Sequence, residues 1–174
     1  QLMNVHDAET TEENYLQVIY CKTAKLFEAA TRLGAVLCLR SEAEEQAMAA
    51  YGRYLGTAFQ LIDDALDYNA TAEELGKNLG DDLAEGKPTL PLIYVMENGS
   101  DAEKALIRSA IEEGGIERLD DIQNIVESTG ALQYTAARAQ EAADIAINAL
   151  SGIPESEYKQ AMITIADFAV RRRS

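Results

Sequence analysis

The chain predicts an all-α fold on three observations. Apolar residues recur at spacings of three and four along most of its length. Helix-start patterns of the Ser/Thr-x-x-Glu kind punctuate it, and nowhere does a period-two alternation hold long enough for a strand. The first helix opens at Thr10-x-x-Glu13 and continues through Tyr15, Val18, Ile19, Ala24, Leu26, Phe27 and Ala30, with Lys22, Thr23 and Lys25 in its middle and Gly34 ending or weakening it. After a short apolar run from Ala35 to Leu39, Ser41-x-x-Glu44 opens a long helix through Ala47, Met48, Tyr51, Leu55, Phe59, Ile62 and Leu66.

Thr71-x-x-Glu74 caps only a brief turn, because Gly76, Gly80 and Gly86 follow at close spacing, and the segment from Gly76 to Pro88 reads as a structured loop. A helix over 89–97 tolerates Pro91 in its first turn and closes at Asn98-Gly99. Ser100-x-x-Glu103 caps the next, which runs to about Glu113 and stops at Gly114-Gly115. Helices over 116–128, 131–150 and 156–172 complete the chain, separated by Gly130 and by Gly152-Ile153-Pro154. No internal repeat, low-complexity tract or dividing linker interrupts this pattern, so residues 1–174 read as one domain.

Composition narrows the function classes. A net charge of -15 argues against nucleic acid and against stable association with anionic membranes. It permits a phosphorylated substrate, provided that lysines are concentrated locally and metal ions bridge. Cys21 and Cys38 lie in apolar helical patterns without metal-ligand spacing, and are expected to be free, buried thiols in a reducing compartment. His6, the only histidine, sits in a polar stretch and reads as incidental, which excludes histidine-based catalysis. No segment approaches ~20 consecutive apolar residues, and the start lacks the layout of a signal peptide. The first residue is Gln1 rather than Met, so a piece of a longer protein is expected.

The most informative stretch is Gly56-Thr57-Ala58-Phe59-Gln60-Leu61-Ile62-Asp63-Asp64-Ala65-Leu66-Asp67. At about 100° per residue, Gly56, Gln60, Asp63 and Asp67 fall on one stripe of a helix, with Asp64 at its shoulder. Like charges four residues apart on a helix repel by a few tenths of a kcal/mol, yet no Lys or Arg occurs from Leu55 to Tyr68. That omission favours an external cation, and a few helix carboxylates are a common way to hold Mg²⁺ against a substrate phosphate. A solvated acidic face is the ordinary reading of DDxxD alone. Gly56, which permits close approach, and Gln60 one turn before the acids weigh against it.

Two further constellations carry lysine. Lys22-Thr23 lies mid-helix, where a snorkelling side chain is the ordinary reading. The second is Gly76-Lys77-Asn78-Leu79-Gly80-Asp81-Asp82 with Glu85-Gly86-Lys87-Pro88-Thr89-Leu90-Pro91. Its glycine-flanked lysines either bring ammonium charge to a phosphate or merely decorate a connector. Asp120-Asp121 repeats the acidic spacing at a helix start, and Arg171-Arg172-Arg173 ends the last helix; both suit the helix dipole and read as structural.

Taken in order, Lys22-Thr23-Ala24, Gly56-x-x-Phe59-Gln60-x-x-Asp63-Asp64-x-x-Asp67, Gly76-Lys77-x-x-Gly80-Asp81-Asp82 and Gly86-Lys87-Pro88-Thr89-Leu90-Pro91 resemble the trans-polyprenyl diphosphate synthases, and within them the bacterial octaprenyl diphosphate synthases of ubiquinone biosynthesis. The resemblance runs through essentially the whole chain. It implies an α-helical bundle of the isoprenoid synthase type, here its C-terminal half, acting on an allylic diphosphate and isopentenyl diphosphate with Mg²⁺, as a cytoplasmic homodimer. It assigns Asp63, Asp64 and Asp67 to the metal, Lys22, Lys77 and Lys87 to the diphosphate region, and Lys22, Thr23 and Gln60 to the catalytic centre. The family's first aspartate-rich motif does not occur in these residues, so elongation by this chain alone is not expected. The competing expectation is a non-catalytic prenyltransferase-like subunit that supports a partner. A class I terpene cyclase also uses carboxylates and Mg²⁺, but the Gly-Lys-Pro-Thr-Leu-Pro loop fits it poorly.

Overall fold

The computed structural model describes residues 5–69 and 80–171. Every regular element among them is helical: α1 (Glu12–Ile19), a π-helical turn (Tyr20–Ala24), α2 (Lys25–Leu37), α3 (Glu42–Leu66), α4 (Asp81–Ala84), α5 (Leu90–Asn98), α6 (Asp101–Glu113), α7 (Leu119–Ser128), α8 (Ala131–Ala149) and α9 (Glu157–Arg171). Short 3-10 turns, Ile116–Arg118 and Leu150–Gly152, precede α7 and follow α8. No helix among the described residues is long and apolar enough to cross a membrane.

The chain gathers into two compact units. One comprises Gln1–Gln17 and Asp63–Ala136, the other Val18–Ile62 and Ala137–Arg173, so neither is a continuous stretch of sequence. In the first, Tyr68, Leu83, Leu92, Val95, Ile107, Ile111, Ile122 and Val126 form a core that draws on α4, α5, α6 and α7. In the second, Tyr51 and Leu55 of α3 pack with Ala146, Leu150, Ala166 and Ala169, and Ala58 packs with Ala142 and Ala143. Small residues at those contacts let helix backbones come close.

The expected caps hold at two sites. Ser41 and Ser100 each accept the amide of the Glu three residues on, whose carboxylate takes the serine amide in return. The first helix starts differently from expectation. Thr11 caps it, taking the Asn14 amide at 3.3 Å, while the Thr10 hydroxyl donates to Asp7 at 3.2 Å. Gly34 neither ends nor breaks α2, because a lone glycine costs a helix only ~1 kcal/mol; the turn comes at Leu39, whose φ is 51°. The loop expected from Gly76 to Pro88 contains α4, and its residues 76–79 lie outside the described residues, as do Thr71 and Glu74. The helix expected over 116–128 begins as a 3-10 turn before α7.

Two expectations about reactive residues are corrected. Cys21 and Cys38 are exposed rather than buried, since the helical stretch that they flank leaves much of its surface open, Leu26 and Leu37 included. His6 is structural rather than incidental. Its amide donates to the Gly86 carbonyl at 2.8 Å and its Nδ1 lies 2.9 Å from the Ile111 carbonyl, tying the start of the chain to the turn before Lys87.

Candidate functional site

The acidic stripe lies where α3 ends, within the first unit. Asp63 and Asp67 are half-buried, whereas Asp64, rotated about 100° from Asp63, is 3% exposed. An inward carboxylate needs a donor. Tyr15 of α1 supplies it, its phenol donating to Asp64 Oδ2 at 2.6 Å. Burial and the neighbouring Asp64 charge push the Tyr15 phenol well above the usual tyrosine range, so it keeps its proton and remains a donor.

Asp67 lies just past the end of α3 and organises the entry to α4. Its carbonyl accepts the Gly80 amide at 3.2 Å and its carboxylate the Asp82 amide at 3.1 Å, so one residue anchors both ends of that entry. Burial, with the Asp82 charge adding to it, raises the Asp67 carboxyl from 3.8 to about 6. Asp82 is itself held by Lys87, whose ammonium lies 2.8 Å from Asp82 and 2.7 Å from Glu85. Burial acts to lower the Lys87 ammonium, but these two carboxylates outweigh it and hold it well above the usual lysine range. Beneath the loop, Thr89 donates to the buried Tyr68 phenol at 3.3 Å. The Lys87-Pro88-Thr89 run is thus pinned through Lys87 to α4 and through Thr89 to the end of α3.

These positions bear on the expected ligands Asp63, Asp64 and Asp67. Among the described residues no group of three or more His, Cys, Asp or Glu side chains could hold a metal ion. The physical reason is helical geometry: Asp63 and Asp67 share a stripe, while Asp64 points into the core and is tied to Tyr15. The remaining donors are hard oxygens, which fit a Mg²⁺ that completes its shell with water and phosphate oxygens rather than an all-protein cage. Lys87 is engaged by two carboxylates, and Lys77 lies outside the described residues.

Lys22, Thr23 and Gln60 belong to the second unit. Lys22 and Thr23 sit in the π-helical turn Tyr20–Ala24, a rare element that marks functional positions more often than chance. The Thr23 hydroxyl donates to Gln60 Oε1 at 2.9 Å, and Gln60 is 7% exposed. Gly56 makes this contact possible, since a Cβ there would stand 2.7 Å from Ala24 Cα. Phe27 and Phe59 add a tilted ring contact at 5.9 Å. Lys22 is exposed.

Tyr15 and Tyr68 are the members of this arrangement that the sequence does not single out as site residues. Tyr15 reads as one more apolar-face residue of an amphipathic helix, and its partner lies 49 residues on. Only the lack of a nearby cation for Asp64 in the sequence hints that another donor must serve it.

Comparison with known proteins bears on the whole chain. The family profile described as Polyprenyl synthetase matches residues 1–129. The chain is 54% identical over 173 residues to the octaprenyl diphosphate synthase of Haemophilus influenzae, covering 99% of itself and 53% of that protein. The Escherichia coli octaprenyl diphosphate synthase is 52% identical over 173 residues, with 99% and 54% covered. Among solved structures, a polyprenyl synthase from Caulobacter crescentus, complexed with calcium and isoprenyl diphosphate, superposes with a TM-score of 0.93 at 41% identity, over 100% of this chain and 54% of that one. The chain therefore spans about half the length of these relatives.

Proposed function

Because the chain belongs to the polyprenyl synthetase family, we propose that it is the C-terminal part of a Mg²⁺-dependent prenyltransferase. The reaction joins isopentenyl diphosphate to an allylic diphosphate such as farnesyl diphosphate, giving a long-chain all-trans polyprenyl diphosphate. The similarity to two bacterial octaprenyl diphosphate synthases supports an octaprenyl product; its use for the ubiquinone side chain, and a cytoplasmic location, are what the family resemblance suggests. A homodimer is the assembly that the family resemblance suggests.

The observation that carries the reading is Asp67. Its carboxyl is desolvated and raised to about 6, and Asp82 adds like charge beside it. Carboxylates kept together where they oppose one another mark a site with another purpose than stability. In this reading Asp63 and Asp67 face the metal, and Asp64 backs them from the interior. Mg²⁺ bound there would neutralise charge on the departing diphosphate. The family resemblance assigns Lys22 and Lys77 to that diphosphate. Lys87 acts mainly by holding Asp82 and the loop. Thr23 and Gln60, joined by their hydrogen bond, present fixed dipoles to the developing allylic cation. The allylic C–O bond ionises, the isopentenyl double bond attacks the carbon, and the proton lost in forming the new alkene passes to released pyrophosphate.

The test is turnover by the protein expressed from its whole reading frame, with farnesyl diphosphate, isopentenyl diphosphate and Mg²⁺, followed by chromatography of the dephosphorylated products. Elongated product is expected from the whole protein and none from the 174-residue chain alone. One observation favours the alternative of a non-catalytic subunit: Leu26, Leu33, Leu37 and Leu39 are exposed on and just after α2, as a face awaiting a helical partner would be. Absence of product from the whole protein, with activity appearing only on adding a second subunit, decides for that alternative.

A further inference from the structure

We propose that Tyr15 is a positioning residue for the acidic stripe, acting through Asp64. The inference rests on the reading above, in which Asp63 and Asp67 face a divalent cation.

Three carboxylates at one helix end pose a packing problem. Asp63 and Asp67, four residues apart, can share a face; Asp64 cannot, and at 3% exposure it has little access to water. A buried carboxylate that loses a hydrogen-bond donor is drawn outward toward water. Turning outward would crowd the face that its neighbours occupy. The Tyr15 phenol, itself 4% exposed, opposes that turn by donating to Asp64 Oδ2. At 2.6 Å this O–H···O contact has the length of a charge-assisted bond. The Asp64 carboxylate is thereby held inward, off the face that Asp63 and Asp67 share.

The anchor is set by the fold and not by local sequence. Tyr15 belongs to α1, and α1 is tied down a second time by the Tyr134 hydroxyl donating to Glu12 at 2.6 Å. The ring of that tyrosine packs at a tilt against Tyr94 of α5, with ring centroids 4.7 Å apart. Tyr15 therefore reaches Asp64 from a helix held independently of the acids. This is the arrangement by which outer hydrogen-bond partners orient metal ligands elsewhere.

The test uses the protein expressed from its whole reading frame and Mn²⁺ as probe, with inorganic pyrophosphate present, read by electron paramagnetic resonance. Tyr15→Phe retains the ring and removes one oxygen. It is expected to weaken Mn²⁺ binding about 10-fold and to raise the KM for the metal more than it lowers kcat. Asp64→Asn is expected to weaken Mn²⁺ to a similar degree, and adding Tyr15→Phe to it to cause no further loss, because the phenol acts only through the Asp64 carboxylate. Wild-type Mn²⁺ affinity in Tyr15→Phe overturns the proposal and leaves the prenyltransferase reading standing. Losses that add in the double variant also overturn it, since Tyr15 would then act through general stability. No Mn²⁺ binding by the wild-type protein overturns the reading beneath it. Should Tyr15→Phe fail to fold, Asp64→Asn decides alone, and unchanged Mn²⁺ affinity there overturns the proposal.

Discussion

Asp67→Asn is expected to stabilise the protein at neutral pH while weakening its site. The Asp67 carboxyl is raised from 3.8 to about 6 by burial and by Asp82. Between those two values the folded state binds more protons at this residue than the unfolded chain does, so its contribution to stability falls as pH rises through that window. Below about pH 4 both states are protonated and the effect vanishes; above about pH 6 it is complete. A shift of roughly two units corresponds to at most ~3 kcal/mol at about 1.36 kcal/mol per unit. Asp67 is only half-buried, and solvent screening reduces this to about 1–2 kcal/mol. Asparagine retains an oxygen for the Asp82 amide and carries no charge to desolvate. In a chelator, to exclude metal ions, thermal unfolding of wild type and Asp67→Asn is compared from about pH 4 to about pH 8. The variant should match wild type near pH 4 and melt higher by roughly 3–6 °C above about pH 6. A difference that does not change with pH, or a variant less stable at neutral pH, refutes the placement of Asp67 in a desolvated, like-charged setting.

Other substitutions probe the supports of the site. Gly56→Ala places a methyl 2.7 Å from Ala24 Cα; overpacking of this kind costs about 1–3 kcal/mol, measured by denaturant unfolding, and parting α3 from the π-helical turn should lower kcat by disturbing the Thr23–Gln60 contact. Tyr134→Phe removes the hydroxyl that holds Glu12 at 2.6 Å and should cost about 1 kcal/mol in the same assay. Lys87→Met leaves Asp82 without its ammonium partner. Faster proteolysis near Gly86 is the expected readout, and wild-type cleavage rates would show that the pair does not hold the loop.

The helices were legible because their signals are local. Ser41 and Ser100 carry their capping partners three residues away, and Pro91 falls in the first turn of α5, as the permissive position requires. Errors arose where a neighbour in sequence competed for the same role or where a partner was distant. Thr10 and Thr11 are equivalent by pattern, and only Asp7, which takes the Thr10 hydroxyl, decides between them. The π-helical turn has no period of its own to betray it, since a single inserted residue leaves the apolar spacing on either side intact. The grouping of Asp63, Asp64 and Asp67 at a helix end could be read from their spacing. Their unequal exposure could not, because the Tyr15 phenol that claims Asp64 belongs to a different helix.

In the second unit the contact between Thr23 and Gln60 is neutral; it costs little to keep, and Gly56 is the concession that the packing makes for it. The buried Lys159 of that unit is paired with Glu155 at 2.6 Å. In the first unit Asp64 is buried under a phenol, Asp67 is raised to about 6, and Asp82 needs Lys87. A sequence selected for stability alone would replace Asp64 and Asp67 with residues that pack without charge, as Leu61, Ile62 and Leu66 do on the same helix. The Tyr15 phenol instead donates to Asp64, the Asp82 amide to Asp67 and the Lys87 ammonium to Asp82 and Glu85, holding the carboxylates in place. Such a framework is stable enough to fold and remains electrostatically unfinished. It gains stability from any divalent cation that binds the folded form, by an amount that grows with the cation's concentration.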